Sequence, residues 1–168
     1  MINFLKTKIA LLWAKKHTQN AEIYKQNAAA DQEKLLFSLL KTAENTLFGK
    51  EHHFGEIQSI RDFQEKVPVS DYEDLKPYIE RIKNGEKDIL WTSLPEYFAK
   101  TSGTTSGAKY IPISKEGMPY QIAAAQSAIF HYIAQKDNAD FVAGKMIFLQ
   151  GSPELEEING IKTGRLSG

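Results

Sequence analysis

The sequence predicts an α/β chain: N-terminal helices followed by the beginning of a mixed sheet that the residues up to Gly168 leave incomplete. Three observations carry this. Apolar residues recur at helical spacing through the first third of the chain. Two stretches rich in aromatic and β-branched residues, 97–99 and 110–113, flank a loop of small residues. Met146-Ile147-Phe148-Leu149 is an unbroken apolar run of the kind found in strands covered on both faces, as in a parallel or mixed sheet. Such a strand needs neighbours that the chain does not supply, so Gly168 is expected to be a cut.

At the N-terminus Ile2, Leu5, Ile9 and Leu12 fall on one face of an amphipathic helix, with Lys6, Lys8, Lys15 and Lys16 elsewhere on its surface. The apolar run 9–14 is short, lacks a small-residue cleavage site and ends in Lys15-Lys16-His17, so neither a signal peptide nor a membrane span is expected. A helix of this kind could lie on a membrane surface; packing onto the rest of its own protein is the expected arrangement. After a polar patch over 18–27, Asp31 is the expected N-cap of a second helix. Leu35, Leu36, Leu39, Leu40, Ala43 and Leu47 form its buried stripe, and Gly49 is its expected stop.

His52 and His53 are adjacent, so their side chains do not converge on a metal as an i,i+4 pair would, and they read as loop histidines. A short helix is expected over 60–66, ended by Pro68. Ser70 and Glu73 then form a capping box for another, with Leu75, Ile79 and Ile82 as its apolar face, Asn84-Gly85 as its close, and a kink or late start at Pro77. Glu73, Asp74, Glu80 and Glu86 are candidate catalytic carboxylates by residue type, but a solvated helix face accounts for them better.

Strands are expected over 89–91 and 97–99 around the Pro95 turn, and over 110–113. Between the last two lies Thr101-Ser102-Gly103-Thr104-Thr105-Ser106-Gly107, glycines and small hydroxyl residues only. Gly103 and Gly107 let the backbone turn its N–H groups inward as an anion-binding nest, Ser102, Thr104, Thr105 and Ser106 add hydroxyl donors, and Lys100 and Lys109 flank it. Gly/Ser/Thr clusters are often plain turns, but a linker has no need of four hydroxyls between two lysines. Nor is this a Walker loop. Three residues separate Gly103 from Gly107 where four are required, and Tyr110 follows Lys109 where Ser or Thr should hold magnesium. A hydrolase elbow would place Thr105 as nucleophile, with no fitting Asp and His in order behind it.

Ser114 is the expected cap of a long helix with Pro119 near its start. Ile122, Ala125, Gln126, Ile129, Tyr132 and Ile133 share one face, which reads as core packing more readily than as an acyl pocket. His131 beside it reads as a structural histidine. The strand at 145–150 follows, Gly151-Ser152-Pro153 turns the chain, and beyond Glu154 no closing helix or strand is expected.

Composition narrows the function classes. Of 168 residues, 42% are hydrophobic and 11% aromatic, enough for a globular core. Twenty-one basic residues balance twenty-one acidic ones, which argues against a nucleic-acid binder relying on phosphate attraction. The absence of cysteine excludes disulfides, thiolate metal sites and a cysteine nucleophile, and is compatible with the cytoplasm.

The loop resembles the first phosphate-binding signature of adenylate-forming enzymes. With its lead-in, Val67-Pro68-Val69-Ser70-Asp71-Tyr72-Glu73-Asp74-Leu75, then Tyr78-Ile79-Glu80-Arg81-Ile82 and Asn84-Gly85-Glu86, the chain from about Leu47 onward is similar to the auxin-responsive promoter family of acyl acid-amido synthetases. Many relatives carry the loop lysine one place later, where Tyr110 stands, and run to several hundred residues. The resemblance implies a helical segment over 1–46 and the truncated first part of an adenylate-forming large domain over 47–168. It also implies ATP and Mg2+ as cofactors, with a small-molecule carboxylic acid and an amine or amino acid as substrates. The acid is first adenylated with loss of pyrophosphate; the amine then expels AMP. Ser102, Gly103, Thr104, Thr105, Ser106, Gly107 and Lys109 are the implied nucleotide-binding residues, with Lys100 as an alternative cation. No metal ligand, nucleic-acid partner or membrane is expected, and these 168 residues alone are expected to be catalytically silent. Two other readings stay open: a non-catalytic nucleotide-binding or interaction module, and an acid–thiol ligase in which coenzyme A accepts the acyl group.

Overall fold

The computed structural model describes residues 2–101, 107–145, 147 and 154–165, with side chains from Phe4 onward. The chain divides into two compact units, Met1–Asp31 with Glu116–Leu149, and Gln32–Lys115 with Gln150–Gly168.

Helix α1 runs from Ile2 to Ala43 without a break and contributes to both units. The polar patch at 18–27 was expected to separate two helices, and Asp31 to cap the second; neither holds. No glycine or proline occurs anywhere in Ile2–Ala43, and polar residues such as Gln, Lys and Glu propagate a helix as well as leucine does.

In the first unit, Ala14 and Ile133 are fully buried and Ala10, Leu11, Phe130, Ala134, Phe141 and Val142 pack round them. The expected stripes are therefore displaced. Leu5, Ile9 and Leu12 are exposed on α1. On helix α5, Met118–Lys136, Ile122, Ile129 and Tyr132 are exposed while Ile133 is buried. Alanine on α1 allows a closer approach than leucine would, so Ala10 and Ala14 form the contact. Gly117, not Ser114, is the N-cap of α5, and Pro119 lies in the first turn.

In the second unit Thr46 joins the end of α1 to helix α2, Leu47–Glu51. Its hydroxyl donates to Ala43 O at 2.7 Å and accepts from Gly49 N at 3.0 Å. Gly49 therefore lies inside α2 and does not stop the helix before it. On α1, Leu40 and Ala43 are buried, whereas Leu35 and Leu39 are exposed. Helix α3, Ile60–Lys66, falls where the sequence places it, capped by Ser59. Helix α4, Tyr72–Lys83, runs through Pro77 and buries Ile79 and Ile82 as expected, ending at Asn84 with Gly85 at φ +89°. Its capping box is one residue later than expected. Asp71 accepts from Glu73 N and Asp74 N, and Asp74 reaches back to Asp71 N, because a carboxylate is the stronger acceptor at a helix N-terminus. Ser70 instead donates to Pro68 O.

Residues 89–91 form no strand. Asp88 O and Ile89 O accept from Leu47 N and Phe48 N at 2.7 and 3.0 Å, so this segment satisfies the first N–H groups of α2 in place of a ladder. Among the described residues, strands β1 (Tyr97–Lys100), β2 (Tyr110–Ile113), β3 (Glu156–Ile158) and β4 (Ile161–Gly164) form one sheet in the order β2-β1-β4-β3. It is mixed, as expected: β1 pairs with β2 antiparallel and with β4 parallel. Phe98 on β1 is fully buried among Ile79, Ile82, Ile89 and Ile161.

The β3–β4 hairpin corrects the expectation of an unstructured end. Asn159 and Gly160 both have positive φ, 48° and 80°, the left-handed pair of a tight hairpin turn, and Asn159 Nδ2 donates to Lys83 O at the end of α4, 2.5 Å away. The strand expected over 145–150 lies outside the described residues except for Lys145 and Ile147, and Ile147 is exposed.

Candidate functional site

The loop between β1 and β2 is the candidate site. Phe98 and Ala99 at the centre of β1 are both buried between half-buried Tyr97 and Lys100, and the antiparallel register pairs Tyr97 with Ile113, Phe98 with Pro112, Ala99 with Ile111 and Lys100 with Tyr110. The hairpin closes one residue further on. Thr101 N–H donates to Lys109 O at 3.0 Å, and Lys109 N–H donates to Thr101 Oγ1 at 3.3 Å. Thr101 and Lys109 are thus the feet of the loop.

Of the residues expected to hold the nucleotide, Ser102, Gly103, Thr104, Thr105 and Ser106 lie outside the described residues. Gly107 is described, with φ +82°, a left-handed conformation that L side chains rarely adopt. A Cβ there would meet nothing within 4 Å, so the glycine is required by the backbone and not by crowding. Lys109 stands with its ammonium 5.1 Å from the centre of the Tyr72 ring.

Lys100, the alternative cation, is committed elsewhere. Its ammonium donates to both carboxylate oxygens of Glu156 on β3, each at 3.1 Å. This hydrogen bond, followed by the charges of Tyr110 and Glu156, raises the lysine above its ordinary pKa.

The remaining candidates have structural partners. Glu73 pairs with Lys76 at 3.0 Å, Glu80 with Lys83 at 2.9 Å, and Glu86 with Arg81 at 2.7 Å. The Arg81 hydrogen bond also holds the Glu86 carboxyl below its usual range. His52 Nδ1 donates to Phe48 O and its ring stacks on the Phe48 ring; His53 faces Glu56. His131 stands edge-on to His17, whose Nε2 is 2.8 Å from Ser127 Oγ. Among the described residues no cluster of three or more His, Asp or Glu could hold a metal ion. Nor is any described helix long and apolar enough to cross a membrane. Gln126 lies on an exposed face of α5.

Tyr72 is the residue that sequence reasoning missed. Tyr72 lies 38 positions before Tyr110, yet its phenol oxygen accepts the Tyr110 N–H at 2.9 Å. Only its place within the Val67–Leu75 segment marks it in the sequence, and no local spacing joins that segment to the loop.

A helical region thus leads into a mixed sheet whose first two strands are joined by a loop standing on Thr101 and Lys109. A family model described as the GH3 family N-terminal domain matches residues 17–168. The chain belongs to the GH3 family, in the region of the family's N-terminal domain. Indole-3-acetic acid-amido synthetase GH3.2 of Arabidopsis thaliana is 37% identical over 95 residues, 55% of this chain and 17% of that relative. Indole-3-acetic acid-amido synthetase GH3.15 of Arabidopsis thaliana is 30% identical over 138 residues, 80% of this chain and 23% of that relative. A solved structure, "AtGH3.15 acyl acid amido synthetase in complex with 2,4-DB", shares the fold with a TM-score of 0.75 at 24% identity, over 89% of this chain and 26% of that one. The chain thus spans from about a sixth to about a quarter of the length of these proteins.

Proposed function

We propose that the chain is the N-terminal part of an ATP-dependent acyl acid-amido synthetase that acts on a carboxylic acid and an amine or amino acid. The observation that carries this reading is the β1–β2 hairpin. Thr101 and Lys109 close its feet, Lys109 is the adjacent cation, and the sequence from Ser102 to Gly107 consists of two glycines and four hydroxyl residues. In this reading 47–168 begins the large adenylate-forming domain, 1–46 is a helical segment ahead of it, and the protein works in the cytoplasm.

ATP supplies the chemistry of activation: the carboxylate displaces pyrophosphate at the α-phosphorus, and the amine then displaces AMP from the acyl carbon, losing a proton. The chain's own part is to bind and align. In this reading backbone N–H groups and hydroxyls of 102–107 hold the phosphate oxygens, and the left-handed φ of Gly107 is of the kind from which anion-binding nests are built. Lys109 adds a positive charge close to the loop, which offsets charge on the leaving phosphates. Among the described residues no group of three or more His, Asp or Glu could hold a metal ion, and in this reading Mg2+ is held chiefly by phosphate oxygens.

The test is acid-dependent ATP–pyrophosphate exchange by the gene product that carries these residues. Replacing Thr104 and Thr105 together by Ala is expected to lower exchange by about two to three orders of magnitude, the effect of losing oriented donors to a charged transition state. Unchanged exchange would remove the loop from the mechanism. Product analysis with amino acids and with coenzyme A is expected to give amide; thioester would move the protein to the acid–thiol ligases. The 168 residues expressed alone are expected to give no exchange.

A further inference from the structure

Tyr72 opens α4 and reaches the stem of the candidate loop in two ways at once. Its phenol oxygen accepts the Tyr110 N–H at 2.9 Å. That N–H lies on the edge of β2 facing away from β1, since the bonds directed at β1 are made at Lys109, the next residue toward the loop. The same Tyr72 ring lies under the Lys109 ammonium, 5.1 Å from its centre. On the next residue, Lys83 Nζ stands 4.6 Å over the Tyr110 ring, so α4 holds the start of β2 from both its ends.

The two contacts act on neighbouring residues of one strand. The hydrogen bond fixes the height of the β2 edge from which Lys109 projects. The ring limits where a flexible four-carbon side chain can place its charge, without neutralising it. Lys100 shows the contrast: bonded to Glu156, its charge is already matched by a carboxylate. A cation resting on a neutral ring is left available to a phosphate.

We propose that Tyr72 is a positioning residue for nucleotide phosphate binding, setting the β2 stem through its hydroxyl and holding the Lys109 ammonium beside the loop through its ring. This rests on the reading of 102–107 as the nucleotide-phosphate loop. No chemical step passes through Tyr72; it acts through Lys109 and Tyr110.

The experiment is ATP–pyrophosphate exchange by the gene product carrying these residues, with KM measured separately for ATP and for the acid. Tyr72→Phe keeps the ring and removes the acceptor, and is expected to raise KM for ATP about five-fold, the consequence of losing one hydrogen bond at the stem. KM for the acid and the melting temperature should barely move. Tyr72→Leu removes the ring as well; its effect on KM for ATP should exceed that of Tyr72→Phe, and in a Lys109→Met background that excess should vanish, because the ring acts only through Lys109. Tyr78→Phe is the control. It takes a hydroxyl from the same helix, one that donates to Glu51 Oε2 at 2.6 Å, and should leave KM for ATP unchanged. The inference is overturned if Tyr72→Phe leaves KM for ATP as it was, or raises both KM values in step, while Thr104→Ala/Thr105→Ala abolishes exchange. If the loop variant itself leaves exchange intact, the loop reading fails and this inference with it.

Discussion

Gly49 has no room for a side chain. A Cβ built on it would stand 2.1 Å from Ala43 O and 3.1 Å from Thr46 Oγ1, where the chain leaves α1 and enters α2. In an open helix, Gly to Ala gains about 1 kcal/mol. Here the added carbon overlaps backbone, so Gly49→Ala is expected to lower stability by about 1–3 kcal/mol, read as a lower denaturant midpoint; a raised midpoint would contradict the contact. In the sequence this glycine resembles an ordinary helix stop, since the close approach exists only once α1 and α2 have met. Asp62 makes a second residue-scale prediction. Hydrogen bonds from Gln58 N first, then from Ser59, hold its carboxyl below the ordinary aspartate value. A group lowered in the folded state contributes stability above its ordinary pKa and loses it as the pH falls through the lowered value. Asp62→Asn should therefore flatten the acid side of the stability profile, and the Asp62 carboxyl, followed by NMR, should titrate below free aspartate. A midpoint at or above that of free aspartate would contradict the cap.

Among the elements, α1 and the β3–β4 hairpin show where reading the sequence stops. Helical character in Ile2–Ala43 was legible, but its continuity and the buried side of its first half were not. Hydrophobic periodicity selects Leu5, Ile9 and Leu12, whereas the contact with Ile133 needs the small side chains of Ala10 and Ala14. The Asn159-Gly160 turn was a legible signal, passed over because the flanking strands are short and polar: Glu156–Ile158 is exposed along most of its length. Asn159 both adopts φ 48° and bonds Lys83 O. Asn159→Ala should destabilise the second unit by about 1–2 kcal/mol, the sum of left-handed strain and a lost hydrogen bond, and should speed amide exchange at Ile161 and Thr163 ahead of the rest of the sheet. Exchange that stays uniform would mean that the hairpin is held by its strand pairing alone.

At the scale of the whole molecule, the mixed sheet was legible from the strand-like flanks 97–99 and 110–113. The parallel partner of β1 was not, because β4 lies more than sixty residues downstream and buries Ile161 and Thr163 on a strand that carries no apolar run. The candidate site was legible for a different reason. Its residues are contiguous, from Thr101 to Lys109, and their chemistry is apparent without the fold; only Tyr72, brought in by tertiary packing, escaped. The most direct measurement is a crystal structure of the gene product carrying these residues, with AMP or ATP bound. Phosphate oxygens are expected within hydrogen-bond distance of the backbone N–H groups and hydroxyls of 102–107, with the Lys109 ammonium still beside the Tyr72 ring and facing them. Phosphates bound away from that loop would contradict the reading.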